Sequence, residues 1–139
     1  LKVYLDTSVL LAWFLEKGDH LERIPKLAVV ASSRLLWIET ARVLERAVSQ
    51  GQLTTENFVS IKRSFSVMSE GISTLRLNDE VLKRAEGSFP LTVRTLDALH
   101  LSTALVWLGG DDPYGMEFWT LDRQLNHCAA AMGMNTPLL

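Results

Sequence analysis

Four carboxylates stand where they can do chemistry. Asp6 closes the strand-like run Lys2 to Leu5, and Asp122 closes Trp119-Thr120-Leu121 in the same way. An acid after a strand lies where ligands gather at the carboxyl edge of an open parallel sheet. It is also a good helix N-cap, so each of the two residues alone admits both readings. Glu39 falls in the first turns of a long helical segment, on the side of Leu36, Val43 and Arg46. An i,i+3 pair with Arg42 is its plain alternative. Asp97 sits in Leu96-Asp97-Ala98-Leu99-His100-Leu101, an apolar helix start in which an unpaired charge is very costly. Its partner is either Arg94, three residues back, or a metal ion. His100 reads as a hydrogen-bonded core histidine and is left outside the site.

Brought to one edge of a sheet, four carboxylates repel one another unless cations neutralise them. Hard divalent ions with oxygen ligands, Mg²⁺ or Mn²⁺, suit such a set. A site of that kind polarises a phosphodiester and activates water for in-line attack. The whole-chain charge shows no bulk attraction for nucleic acid, with 14 Lys and Arg against 16 Asp and Glu, a net of −2. Without the four acids, twelve remain against fourteen bases and the rest of the chain is +2. Arg42, Arg46, Arg94 and Arg123 are the bases nearest the proposed site in sequence and are candidates for phosphate contacts.

The elements that must position these residues alternate in type. Strands are expected at Lys2 to Leu5, Leu27 to Ala31, Ile72 to Leu77 and Glu117 to Leu121, with a weak one at Met134 to Leu138. The Leu27 to Ala31 run reads as a strand covered on both faces. Helices are expected from Val9 to Glu16, from Ser32-Ser33 to about Gln50, and from Thr54-Thr55 to Gly71. Further helices follow from Asp79 to about Glu86, from near Val93 to Leu108, and from Asp122 to near Gly133. The second long helix carries a stripe of Trp37, Ala41, Leu44 and Val48, and the next one Phe58, Ile61, Phe65 and Met68, both at helical spacing. Strands alternating with helices predict an α/β domain with a parallel sheet covered on both faces, spanning residues 1–139 as a single unit.

Composition and missing motifs narrow the function classes. The chain has 139 residues, 47% hydrophobic and 22% charged, which excludes a disordered chain or a disulfide mini-scaffold. The longest apolar run, Val9 to Leu15, is far too short to cross a bilayer. No leader peptide is visible, and the single cysteine, Cys128, suits a reducing compartment, so a cytoplasmic protein with no membrane partner is expected. No glycine spacing fits a dinucleotide or Walker phosphate loop. No G-x-S-x-G elbow is present, and one Cys with His20, His100 and His127 makes no structural zinc site.

Four stretches in order resemble the motifs of PIN-domain nucleases. Tyr4-Leu5-Asp6-Thr7-Ser8-Val9-Leu10 resembles the opening motif, and Ser33 to Glu39, with Arg42 and Leu44 behind it, resembles the second. Arg94-Thr95-Leu96-Asp97-Ala98-Leu99-His100-Leu101-Ser102-Thr103-Ala104 resembles the third and most specific, and Thr120-Leu121-Asp122 is similar to the fourth. The resemblance covers the whole chain and implies a three-layer α/β/α sandwich around a mostly parallel sheet. It implies that Asp6, Glu39, Asp97 and Asp122 form the catalytic cluster, with Thr120 as a supporting hydroxyl. Asp6 and Asp97 would hold the main Mg²⁺ ion, for which Mn²⁺ can substitute. Asp122 would complete that shell or form a second site, and Glu39 would ligate or orient the water. Small stand-alone members are typically toxin endoribonucleases of VapBC-type toxin–antitoxin pairs, which implies an RNA substrate, a cognate antitoxin and a homodimer.

Two other readings compete. A receiver-like phosphoacceptor domain also carries a strand-end Asp, but it expects a late Lys and none follows Lys83. A catalytically silent PIN-like interaction module could use the Phe58, Ile61, Phe65, Met68 stripe to dimerise, although that stripe also reads as plain core. The presence of all four acids favours an active nuclease over a silent module.

Overall fold

The computed structural model describes residues 1–139. Strand β1 (Lys2–Leu5) lies inside a four-stranded sheet, because Val3, Tyr4 and Leu5 are fully buried with alternating side chains on opposite faces. It pairs in parallel with β2 (Val29–Ser33) on one side and with β4 (Met116–Trp119) on the other. Strand β3 (Ser73–Leu75) extends β2, again in parallel, so the order is β3-β2-β1-β4 and all pairs are parallel. The direction of the chain therefore reverses across the sheet between β1 and β4, next to Asp6.

Helices cover both faces. Tyr4, Met116 and Phe118 point into one core with Leu101, Ala104 and Leu108 of α5 (Thr95–Leu108) and Leu125, Cys128 and Ala129 of α6 (Arg123–Ala131). Val3, Leu5 and Trp119 point into the other, with Val9 and Leu10 of α1 (Thr7–Leu15) and Leu36 of α2 (Leu35–Ser49). Helix α4 (Asp79–Ala85) packs on α5. Helix α5 is apolar almost all round, as a helix lying across a buried sheet should be. It ends at Gly109, whose φ of +66° an L side chain rarely adopts.

Several expectations are corrected in detail. The second strand starts at Val29, not Leu27, because Pro25 opens a turn closed by the Ala28 N–H on the Pro25 carbonyl. Leu27 is 96% exposed and Val29 is exposed as well, so the start of that run is not covered on both faces. The face of α2 that enters the core is Leu36, Thr40, Leu44 and Ala47; Trp37, Ala41 and Val48 sit at its margin, half-buried. Helix α1 begins two residues earlier than its apolar run because Asp6 caps it. Strand β4 stops at Trp119, since the Leu121 N–H turns to the Ser8 hydroxyl. The expected last strand shrinks to one bridge, Glu117 to Asn135.

Helix α3 (Thr55–Ser69) differs from the others in burying no residue completely. Phe65 and Met68 reach the second core only from its edge, and Val67 on the outer side is exposed. No helix is long and apolar enough to cross a membrane.

Candidate active site

Asp6 is where β1 becomes α1. Its backbone N–H continues the β1–β4 ladder by donating to the Trp119 carbonyl, 2.9 Å away. Asp6, buried at 6% exposure, caps the helix weakly by accepting from the Ser8 N–H at 3.4 Å. Stronger bonds come from hydroxyls: Ser8 donates to Asp6 Oδ2 at 2.7 Å and Thr120 donates to the same oxygen at 2.8 Å. The Asp122 N–H in turn donates to Thr120 Oγ1 at 3.1 Å. The carboxyl ends of β1 and β4 are thus tied together through one carboxylate oxygen. Oδ1 remains toward His100, whose Nε2 is 3.6 Å away.

Glu39 projects from the second turn of α2 and makes no pair with Arg42, which bonds Glu45 instead at 2.9 Å. Glu39 Oε1 accepts from the Thr7 hydroxyl at 2.9 Å and from His100 Nε2 at 2.7 Å. Burial alone would raise the Glu39 pKa. The hydrogen bond and charge of His100, helped by Thr7, outweigh it and hold the carboxyl below its usual range. His100 moves the other way: burial opposes its charge, but the bond to Glu39 and the charges of Asp6, Glu39 and Asp97 raise it above the ordinary histidine value. His100 therefore stands inside the site, contrary to the sequence reading. An apolar flank looks the same for a core histidine as for one that faces acids from two other elements.

Asp97 and Asp122 form the outer part. Arg94 Nε lies 3.4 Å from Asp97 Oδ2, and its NH2 group lies 3.7 Å from Asp122 Oδ2. Both alternatives for Asp97 thus meet at one place, because Arg94 occupies the position between two acids that a cation would take. Its side chain is 83% exposed, so water screens much of this attraction. Partial burial raises the Asp97 pKa; Arg94 opposes that rise, while Asp122 and Asp6 add to it by repulsion. Asp122 also caps α6 through Oδ1, accepting from the Leu125 N–H at 2.8 Å.

The four acids come from β1, α2, α5 and the turn after β4. His100 joins Asp6 to Glu39, and Arg94 joins Asp97 to Asp122. As the side chains stand, no three acid, imidazole or thiol groups are close enough to hold one ion together. The donor set is nonetheless chemically suited to a hard divalent ion: all are carboxylates, Asp97 feels the charges of Asp6 and Asp122, and the only guanidinium bonded to them is solvent-exposed. Of the other candidate arginines, Arg42 is taken by Glu45. Neither Arg46 nor Arg123 makes an ion pair. Thr7 and Ser8 are the hydroxyls that sequence reasoning passed over as site residues; their place at the first two positions of α1, directly after Asp6, was the available signal.

The PIN domain family model matches residues 3–127. No curated protein matches the chain. Solved structures of the same fold include VapBC2 from Rickettsia felis bound to a fragment of promoter DNA, with a TM-score of 0.64 and 13% identity over 98% of this chain and 97% of that one. They also include a toxin–antitoxin complex from Klebsiella pneumoniae, with a TM-score of 0.60 and 20% identity over 97% of both chains. A third is VapBC-1 from nontypeable Haemophilus influenzae, with a TM-score of 0.61 and 11% identity over 98% of both chains. With the strand order, the acid-lined sheet edge and a family match running from β1 into α6, the chain belongs to the PIN domain family.

Proposed function

We propose that this protein is a divalent-metal-dependent endoribonuclease, the toxin half of a VapBC-type toxin–antitoxin pair. The observation that carries the reading is the meeting of acids from four separate elements at the β1–β4 edge, with one solvated arginine among them. Asp6, Asp97 and Asp122 would hold Mg²⁺, with Mn²⁺ as a substitute. When bound, the ion would neutralise the phosphodiester and favour ionisation of the attacking water. Asp6 keeps one orientation because Ser8 and Thr120 hold Oδ2. Glu39, kept ionised by its donors, orients the water and accepts its proton. Arg94, released from its acids, is free to meet a phosphate of the RNA.

The partner reading rests on likeness of fold to toxin–antitoxin complexes, from which we infer a cognate antitoxin. We also infer a homodimer through α3, whose half-buried stripe and exposed Val59 and Val67 leave apolar surface to cover. Light scattering at micromolar concentration should give twice the chain mass and, for Val67→Lys, the chain mass. A wild-type monomer refutes the dimer.

Cleavage of an end-labelled RNA decides the main reading. The chain should cut RNA with Mn²⁺ and stop on addition of EDTA, and Asp6→Asn should be inactive. A folded chain that neither binds Mn²⁺ nor cuts RNA would instead be the silent interaction module.

A further inference from the structure

The buried groups that this mechanism leaves unused form one continuous hydrogen-bond chain. Tyr4, in the middle of β1, is fully buried; its ring stacks on Phe118 at 5.1 Å and meets His100 edge-on at 5.9 Å. The phenol oxygen accepts the Ser33 N–H at 3.1 Å and lies 2.8 Å from His100 Nδ1. Having accepted from the backbone, the phenol has one hydrogen left, and when the ring is neutral Nδ1, 2.8 Å away, is placed to accept it. Nδ1 then acts as the acceptor, so the ring hydrogen sits on Nε2, which donates to Glu39 Oε1 at 2.7 Å. With a proton on Nδ1 the same pair would run the other way, the ring donating and the phenol turning its hydrogen toward the Ser32 or Thr103 hydroxyl.

The chain crosses four elements: the end of β2, the middle of β1, α5 and α2. His100 is 1% exposed and Tyr4 not at all, so each depends on the other for its hydrogen bond in the folded protein rather than on bulk water. At its far end both donors, Thr7 and His100, bond Oε1, while Oε2 makes no hydrogen bond within the protein. A glutamate on a helix has three rotatable side-chain bonds, and this arrangement removes most of that freedom before substrate arrives.

We propose that His100, its ring fixed by the Tyr4 hydroxyl, is a positioning residue that holds the Glu39 carboxylate in one orientation beside Asp6. It acts through Glu39 and touches no reacting atom. The inference rests on the nuclease reading and adds to it a requirement for the Nε2–H hydrogen bond.

Steady-state cleavage of a labelled RNA in saturating Mn²⁺, with melting curves for each variant, tests this. His100→Leu should lower kcat about 10- to 100-fold with KM unchanged. His100→Gln, whose amide N–H reaches where the imidazole Nε2–H does, should recover most of the loss. Tyr4→Phe should lose about 3- to 10-fold, a smaller share of the same range because the ring is loosened rather than removed. In the metal-free wild type, at a pH above the raised His100 value where the ring is neutral, imidazole ¹⁵N shifts should show Nδ1 without a proton, and Tyr4→Phe should mix the tautomers. Wild-type kcat in either His100→Leu or Tyr4→Phe overturns the proposal. So does a folded His100→Gln no more active than His100→Leu, or a proton on Nδ1 of the neutral wild-type ring. Should His100→Leu not fold, Tyr4→Phe, His100→Gln and the ¹⁵N shifts still decide. A wild type no more active than Asp6→Asn is a different result: there the nuclease reading itself fails.

Discussion

Asp6 and Glu39 accept hydrogen bonds from Ser8, Thr120, Thr7 and His100, of which all but the half-buried Ser8 are buried. Asp97 and Asp122 share one guanidinium whose side chain is 83% exposed. The same carboxylate group is thus held by hydroxyl and imidazole donors on the inner side of one edge and by a solvent-exposed cation on the outer side. Fixed donors keep a carboxylate ionised and in place at no cost of reorganisation. A solvent-exposed cation lowers repulsion and can be displaced by a competing ion. On the proposed function, the inner pair would orient and the outer pair would exchange its partner for a metal ion.

Removing an inner acid should have the largest effect. Asp6→Asn keeps the size of the side chain but turns an amide toward a hydroxyl donor and removes a charge from the metal edge. Cleavage should fall by roughly three orders of magnitude, corresponding to about 4 kcal/mol of transition-state stabilisation. The fold should lose about 1–2 kcal/mol, as for one unmatched buried hydrogen-bonding group. A variant that cuts RNA at the wild-type rate would place the chemistry elsewhere.

On the outer side, thermal stability reports exchange. Mn²⁺ at 100 times its dissociation constant should stabilise the wild type by about 2.7 kcal/mol, several degrees in melting temperature. Asp97→Asn should remove most of that shift. It should also leave the metal-free protein as stable or slightly more so, because the raised Asp97 pKa marks a charge that the fold disfavours. A destabilised variant with an intact metal response would make Asp97 a structural partner of Arg94 only.

Arg94→Gln sharpens the contrast at smaller scale. Freed of a competing cation, the outer acids should bind Mn²⁺ about fivefold more tightly, corresponding to about 1 kcal/mol for a unit charge near 4 Å in water. Calorimetric titration reads this directly; weaker binding would mean that Arg94 helps to organise the acids instead of standing in for the ion.

The mildest expected effect is on pH dependence without metal. The raised His100 contributes stability that is fully present below about pH 6.5 and lost as pH rises through its folded value. The lowered Glu39 contributes stability present above about pH 4.5 and lost as pH falls through its folded value. Asp97, raised, favours the fold at low pH and loses that contribution as pH rises. The His100–Glu39 pair should therefore stabilise most between about pH 4.5 and 6.5. His100→Gln should flatten the fall in melting temperature above about pH 6.5, where the His100 contribution is lost. An unchanged pH profile would deny the pair its part.

Local pattern alone determined much of this molecule. Alternation in β1, a strand-end acid, a capping hydroxyl run and an apolar α5 each follow from side-chain periodicity and backbone preferences that act within a few residues. The α/β class and the order of elements came from those rules. Where strands stop did not: β4 ends at Trp119 because the Leu121 N–H meets Ser8, 113 positions away. The same limit hid the role of His100. Along the chain it is one polar residue in an apolar helix. In the folded molecule Tyr4 meets one ring nitrogen, and Glu39, 61 positions away, meets the other. The pairing of Glu39 was settled in the same way, because i,i+3 spacing offered Arg42 while tertiary packing supplied Thr7 and His100. Short-range rules specify which groups a segment carries; which of them meet depends on chain crossings that close only when the sheet is assembled.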